Sequence, residues 1–389
     1  MRTYEQTHPW LKFELDLRPA TYDLWILFGE AVSKCDHLSK VPLRPATATL
    51  LHQMYLAKGV AATTAIEGNT LSEEEVLKAV QGQLKVPPSK EYLKQEVDNV
   101  IGACNGITKR IVEGIPFSLD TEILCNFNRQ VLERLPLGED VTPGDLRRHS
   151  VVVGSVYRGA PPEDCRYLLD RMNEWLTGQA FVAPAGMESI FAILKAIVSH
   201  IYLAWIHPFG DGNGRTARLV EFYLLLEAGI PLPAAHLLSN HYNQTRSEYY
   251  RHLDYASKSG GEIMPFIKYA VQGFVDGLRS QLDFVWTQQW DVVWRNYVHE
   301  LFTGKNGEAY IRQHQLALDL GVRGDWVSVH DIEELSPKLA KAYASRTSKT
   351  VRRDLNHLDQ LGLVVCDGKR VRARRELIMA FLPLRKRQS

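Results

Sequence analysis

Cysteine is scarce in this 389-residue chain. Cys35, Cys104, Cys125, Cys165 and Cys366 are scattered, odd in number and without a Cys-x-x-Cys pair. They read as reduced thiols, so a disulfide framework or a thiolate zinc site is not expected. No uninterrupted run of about eighteen apolar residues occurs, which argues against a transmembrane helix and a membrane partner. Met1 to Glu5 lead into polar sequence without the apolar core of a signal peptide, so a cytoplasmic protein is expected. Internal repeats and low-complexity tracts are also missing. What remains is ordinary globular composition, 45% hydrophobic and 23% charged, over a length that suggests two to three domains. Net charge is only +1, but it is unevenly spread. Lys338 to Ser389 hold 14 Lys and Arg against 4 Asp and Glu, while the remainder holds 32 against 41. A basic last segment on an acidic chain predicts a polyanionic partner for that segment.

The apolar spacing predicts a mainly α chain. Thr47 to Thr64 reads as a helix that ends at Gly68-Asn69, and Ser72 with three following Glu reads as a new N-terminus. Tyr92 to Glu113 and Thr121 to Leu135 read as amphipathic helices. Ser150 to Gly159 is β-branched and interrupted by glycine, so it predicts a small hairpin. Met187 to Ile206 and Arg215 to Gly229 are apolar enough to form the buried centre of an all-α domain. Met264 to Leu282 and Val285 to Phe302 read as two helices, the second joining domains. Segments 308–320, 329–344 and 347–361 then look helical, and Leu363 to Ala373 reads as strand, Asp-Gly turn, strand. The expected organisation is a helical region at 1–110, a core at 111–282, a linker helix at 283–305 and a three-helix-plus-hairpin domain at 306–389.

One stretch carries chemistry: His207-Pro208-Phe209-Gly210-Asp211-Gly212-Asn213-Gly214-Arg215-Thr216-Ala217-Arg218. Gly212-Asn213-Gly214 precede a helix, where backbone N–H groups and the positive helix end form an anion site. Arg215 and Arg218 are three apart and share a face, so both can turn towards one phosphate. Asp211 is a hard oxygen ligand suited to Mg²⁺ carried by phosphates. His207 is the side chain here suited to proton transfer near neutral pH. His200, seven residues earlier, reads as a core residue, because a His200/His207 zinc pair lacks further ligands.

The whole string resembles the Fic family signature, H-x-F-x-[D/E]-G-N-G-R-x-x-R, at all eight specified positions. The resemblance implies an all-α Fic fold with a β-hairpin flap, and transfer of AMP from ATP to a Ser, Thr or Tyr hydroxyl of a protein, possibly this one. It implies His207 as general base, Phe209 as core anchor and Asp211 as Mg²⁺ ligand. Gly212, Asn213 and Gly214 would cradle the phosphates, and Arg215 and Arg218 would stabilise the outer phosphates and the leaving pyrophosphate. Gly214 stands where Doc-like relatives that phosphorylate carry Lys, which favours AMP transfer; other phosphodiester donors stay open.

Thr63-Thr64-Ala65-Ile66-Glu67-Gly68-Asn69 resembles the family's inhibitory motif, [S/T]-x-x-x-E-[G/N]. Lying ahead of the catalytic loop, it implies a class II Fic protein in which Glu67, one helical turn from Thr63, pairs with Arg218 and blocks the γ-phosphate site. Relatives also use this Glu to remove AMP. Val153, Gly154, Ser155 and Val156 match the place of the flap, which would touch nucleotide and align target backbone by strand addition. Arg246-Ser247-Glu248-Tyr249-Tyr250 resembles a stretch near the adenine pocket, with Tyr249 as the adenine contact and Ser257 where some relatives have Asn.

The last domain resembles a winged helix-turn-helix, with Arg346, Lys349, Arg352 and Arg353 on the recognition helix and Lys369, Arg370 and Arg372 on the wing. DNA, a homodimer partner or a docking target are its open partners. Two functions are therefore carried forward: an autoinhibited protein adenylyltransferase, or a DNA-binding regulator whose Fic part senses nucleotide.

Overall fold

The computed structural model describes residues 2–115, 119–153 and 157–378. The chain divides into two compact units, 1–282 and 283–389. Helix dominates both.

The first unit is built around the helices Glu188–Ile206 and Asn213–Glu227, which pack on each other. Glu188–Ile206 is long and apolar enough to cross a membrane, but 72% of its apolar window is buried inside the protein. Its residues Ile193, Leu194, Ile197, Ile201 and Ile206 are fully enclosed. Asn213–Glu227 buries both apolar and charged side chains, Arg215, Arg218 and Glu221 among them. A helix that buries charge must supply each charge with a partner. Those partners come from the helices that pack around it: Glu96 of Glu91–Val112 for Arg215, Thr63 of Pro45–Ile66 and the Glu67 that caps it for Arg218, and Tyr242 of Leu237–Gln244 for Glu221.

Local chemistry sets the boundaries. Pro45 opens its helix at N1, two residues before the expected start. Gly68 adopts φ +102°, which turns the chain away just past Glu67. Ser72 then caps Glu73–Val80: its Oγ accepts from the Glu75 N–H at 3.2 Å while Glu75 Oε2 accepts from the Ser72 N–H at 2.8 Å. The expected hairpin is present as β1 (Val152–Val153) and β2 (Tyr157–Arg158), antiparallel with Val152 opposite Arg158. Gly154, Ser155 and Val156 lie outside the described residues.

Residues 264–302 form a single helix, Met264–Phe302, where the sequence reading placed two. No Gly or Pro stands between Leu282 and Val285 to break it. Residues 283–305, expected as a linker, also contribute to a core: Trp294, Val298 and Phe302 are buried with Leu316, Leu320 and Leu358 in the second unit. That unit runs helix Glu308–Arg323, β3 (Val327–Ser328), helix Pro337–Tyr343, helix Ser348–Gln360, β4 (Val364–Cys366) and β5 (Arg370–Ala373). The strands form one antiparallel sheet in the order β3-β5-β4. β3 was not anticipated, and the single helix expected over 329–344 is split into a 3-10 helix, Val329–Glu334, and an α-helix, Pro337–Tyr343. Ser336 caps the α-helix, its Oγ accepting from the Leu339 N–H, and Ser328 caps the 3-10 helix ahead of it, its Oγ accepting from the His330 N–H, which leaves Val327–Ser328 to pair as strand.

Candidate active site

His207 terminates the Glu188–Ile206 helix in a left-handed conformation, φ 50° and ψ 57°. A non-glycine residue there is strained and needs the surrounding structure to hold it. Arg147 does much of that holding. Its Nε donates to the His207 carbonyl at 2.6 Å and its Nη1 to the His149 carbonyl at 2.7 Å. Its Nη2 reaches the carbonyls of Ala160 and Ile206, and its own backbone N–H donates to Pro208. One buried guanidinium thus pins the start of the loop to the base of the hairpin. Gly159 lies so close to His207 that a Cβ would come within 2.9 Å of the histidine's own.

The ring of His207 is set for proton acceptance. Nδ1 lies 3.3 Å from the Ala204 carbonyl, which can only accept, so the neutral ring carries its proton on Nδ1 and its lone pair on Nε2. Burial, opposed by that hydrogen bond, pushes its pKa down to about 4. The imidazole is therefore neutral near pH 7.

The loop that follows is braced from inside. Asn213 Oδ1 accepts from the Phe209 N–H at 2.9 Å and Asn213 Nδ2 donates to the Phe209 carbonyl at 2.8 Å. Phe209 is buried, as expected of an anchor. Asn128, wholly buried, donates to the Asp211 carbonyl at 2.9 Å and accepts from the Gly144 N–H at 3.0 Å. The Asn213 side chain thus closes the loop and leaves its backbone N–H to the helix end. Gly212 takes φ +75° as the N-cap. The first helical hydrogen bond of that end runs from Thr216 to Gly212, so the N–H groups of Asn213, Gly214 and Arg215 have no acceptor within the helix. A 15-residue helix thus presents its positive end beside His207.

An anion already stands at this end, and it is Glu67. The carboxylate lies against Gly214, where a Cβ would collide with Oε1. Arg218 Nη2 donates to Glu67 Oε1 at 2.5 Å and to the Thr63 carbonyl at 3.0 Å, and Arg218 Nε donates to Thr63 Oγ1 at 2.6 Å. Thr63, Glu67 and Arg218 are thus brought together. Burial alone would raise the Glu67 pKa; the charge and hydrogen bond of Arg218, with Arg215 and His207 behind, outweigh it and hold the group below its ordinary value. Arg246 fixes the helix that carries Glu67, its Nη2 donating to the Ala65 carbonyl at 2.7 Å and to Asn243 Oδ1 at 2.8 Å. A cation at a helix C-terminus is favourable for the dipole as well.

Arg215 departs from expectation. Its Nη1 donates to Glu96 Oε1 at 2.6 Å and its Nη2 to Asp211 Oδ1 at 2.9 Å, so it is held between two carboxylates instead of aimed at an open phosphate site. The physical reason is burial: Arg215 is 6% exposed and must be paired where it sits. Burial holds the Glu96 carboxyl above its ordinary pKa despite Arg215. Asp211 keeps 46% side-chain exposure beside these groups.

Tyr249 is also corrected. It is 4% exposed, its hydroxyl lies 2.9 Å from His200 Nε2, and its ring stacks on Tyr242 at 4.8 Å. It belongs to the core with His200 and Glu221, whose Oε2 lies 3.1 Å from His200 Nδ1 but out of line for a good hydrogen bond. The neighbouring Tyr250 is 45% exposed and feels the charges of Glu67 and Arg218. Ser257 is buried and bonded to the Asp254 carbonyl, so it is no substitute for a contacting Asn. Of the expected flap residues, Val153 is half-buried on β1. Asn128 and Glu96 were missed by the sequence reading, and Arg147 was placed only in the approach to the flap, Pro143 to Arg147, without a role.

Residues 118–225 match the Fic/DOC family. This segment is a Fic domain. Among curated relatives the chain is similar to the protein adenylyltransferase fic-1 of Caenorhabditis briggsae, 29% identical over 213 residues, 54% of this chain and 38% of that protein. It is also similar to the protein adenylyltransferase Fic of Nematostella vectensis, 29% identical over 210 residues, 54% of this chain and 45% of that protein. The chain spans less than half the length of these relatives. Among solved structures, a Fic family protein from Desulfovibrio desulfuricans G20 superposes with a TM-score of 0.56 at 20% identity, covering 92% of this chain and 97% of that one. Fic-1 (aa134–508) from C. elegans gives 0.55 at 23% identity, covering 68% and 73%. The fold of the first unit is thus the Fic fold. The Fic domain as matched contains His207 and Arg218 but not Glu67, which reaches it from the helix ahead.

Proposed function

We propose that the Fic domain transfers AMP from ATP to a protein hydroxyl, and that Glu67 holds it inhibited. The observation that carries this reading is the carboxylate of Glu67 at the helix end, on Gly214 and against Arg218, beside a neutral His207. A site that holds a carboxylate on a buried arginine, against a helix end whose N–H groups lack acceptors within the helix, is suited to a phosphate. In the reaction, His207 Nε2 takes the proton of the target hydroxyl. The hydroxyl oxygen bonds to the α-phosphorus, and the bond to pyrophosphate breaks. Stabilising that charge falls to the amides of Asn213, Gly214 and Arg215 and to Arg218 once Glu67 has left. The curated relatives named protein adenylyltransferase support the reaction class.

Mg²⁺ fits the donor set. Asp211 is an exposed hard carboxylate next to the phosphate cradle, and no cluster of three or more His, Cys, Asp or Glu exists among the described residues. A cation there would be held by Asp211, phosphate oxygens and water, the habit of Mg²⁺, and would neutralise phosphate charge. Arg215, bonded to Asp211, orients that carboxylate. Removal of AMP by a water that Glu67 positions is a compatible second activity of the same site.

The test is incubation with Mg²⁺ and ATP labelled on the α-phosphate, followed by protein separation and intact mass. Label that rises in Glu67→Gly and disappears in Glu67→Gly/His207→Ala is the expected result. Absence of label in every form, with a cell extract supplying targets and ATP binding demonstrated, overturns the AMP-transfer reading.

A nucleic-acid role for the second unit has one observation in its favour. Its order of elements supports a winged-helix reading, and Lys349, Arg352 and Arg353 are exposed on Ser348–Gln360 with no ion pair among the described residues. The wing arginines are instead paired, Arg370 with Asp367 and Arg372 with Glu376, as is Arg346 with Glu308. Duplex DNA would therefore meet the helix first. Arg352→Ala/Arg353→Ala should reduce the salt slope of DNA binding by about 2; salt-independent or absent binding removes this reading.

A further inference from the structure

Glu96 sits 8% exposed on Glu91–Val112 and has no part in the chemistry above. Its oxygens are divided between two partners. Oε1 accepts from Arg215 Nη1 at 2.6 Å and Oε2 from Asn69 Nδ2 at 2.8 Å. Asn69 lies two residues beyond Glu67 and fixes the exit of that helix. Its Nδ2 also donates to the Leu93 carbonyl at 2.9 Å, and its Oδ1 accepts from the Leu71 N–H at 3.0 Å. Arg215 in turn holds Asp211. One buried carboxylate thus joins the turn behind Glu67 to the loop that carries the chemistry.

We propose that Glu96 is a positioning residue that couples the inhibitory helix to the catalytic loop, keeping the 66–71 turn seated so that Glu67 stays over Gly214. The inference rests on the reading of Glu67 as inhibitor. Its physical core is acceptor count. A carboxylate accepts at both oxygens, whereas glutamine accepts at one and turns an N–H₂ towards a donor at the other. Glu96→Gln therefore breaks one of the two links with almost no change of volume. The Arg215 guanidinium is buried and charged and holds its acceptor more strongly than the neutral Asn69 amide does. The link to Asn69 yields.

Hydrogen exchange on the full chain without nucleotide reads this directly. Glu96→Gln should speed exchange of the amides at 66–71 about tenfold or more, while amides of the buried helix Glu188–Ile206 in the same unit keep wild-type rates, which a first unit weakened as a whole would not show. Asn69→Ala, which leaves the Glu96–Arg215 bond intact, should do the same and serves if Glu96→Gln folds poorly. Calorimetric titration with a non-hydrolysable ATP analogue supplies a second readout. Glu96→Gln should tighten binding several-fold when Glu67 is present and add nothing in Glu67→Gly. Unchanged exchange at 66–71 in both variants, or an equal effect of Glu96→Gln in both backgrounds, overturns the coupling. Failure of the functional reading looks different: no form binds the nucleotide, and the exchange result still decides the coupling.

Discussion

Each unit buries an arginine–carboxylate pair, and the two pairs are built differently. In the second unit Asp354 is wholly buried and accepts from Arg312 Nε at 2.6 Å, Arg312 Nη2 at 3.2 Å, Gln313 Nε2 at 2.8 Å and the Tyr343 hydroxyl at 3.0 Å. In the first unit Glu67 keeps 29% side-chain exposure and, among the described residues, accepts one hydrogen bond, from Arg218. Asp354 is saturated, so removing it leaves Arg312 and its neighbours unpaired. Glu67 is held on one side, by groups that would serve a phosphate equally well. A buried ion pair whose anion is saturated fastens a core; one whose anion is singly held at a helix N-terminus marks a place where a ligand can replace it.

The comparison can be broken in several ways. The largest effect is expected for His207→Ala in the Glu67→Gly protein, a loss of about 10²–10⁴-fold in AMP labelling. Retained labelling would remove His207 as base. Asp354→Ala should lower the stability of the second unit by about 3–5 kcal/mol, read as the loss of one calorimetric transition. Glu67→Gly should leave the protein folded and raise labelling at least about tenfold, the counterpart of ~1.4 kcal/mol. If it unfolds the first unit as Asp354→Ala unfolds the second, the two pairs are alike and the contrast fails. Gly214→Ala separates cradle from inhibitor. The new Cβ would displace Glu67 yet fill the phosphate seat, so ATP affinity should stay below that of Glu67→Gly.

The smallest effect is in pH dependence. The His207 pKa is depressed from the ordinary 6.5 to about 4. Below pH 6.5 the unfolded chain takes up a proton that the folded site refuses, so the contribution of this group to stability is fully present above 6.5 and is lost as pH falls towards 4. Activity of Glu67→Gly should likewise stay level through pH 6.5 and decline only towards 4. Loss of Glu67, whose charge raises the His207 pKa, moves the limb no higher. A rate profile that bends at 6.5 would mean a solvated His207.

Much of the site was legible because its spacing is local. His207, Asp211, Gly214 and Arg218 lie in one loop and one helical turn, and Thr63 and Glu67 are one turn apart. Glu96 and Asn128 were not legible, since nothing in their own neighbourhoods distinguishes them from solvated polar residues, and for Arg147 the stretch Pro143 to Arg147 suggested the approach to the flap but not the carbonyls it would bind. They matter because distant segments meet: Glu96 is 119 positions from Arg215, and Arg147 is 60 from His207. The pair Tyr249 and Tyr250 shows the limit most plainly. Both are aromatic and adjacent, and packing against His200 and Tyr242 decides which is buried.

By itself the sequence determined the reactive loop, the helix end that receives an anion, the partner motif with Glu67, and the mainly helical architecture. Periodicity, glycine conformations and charge at neighbouring positions suffice for the loop, the helix end and the architecture, while the motif with Glu67 was read from its resemblance to the Fic inhibitory motif. Only the tertiary structure decided that Glu67 lies on Gly214, that Arg215 faces two carboxylates, that Asn213 braces its own loop, and that 283–302 joins a core. Each of these depends on which buried group finds which partner across the fold, because an unpaired polar group out of water is too costly to leave to chance.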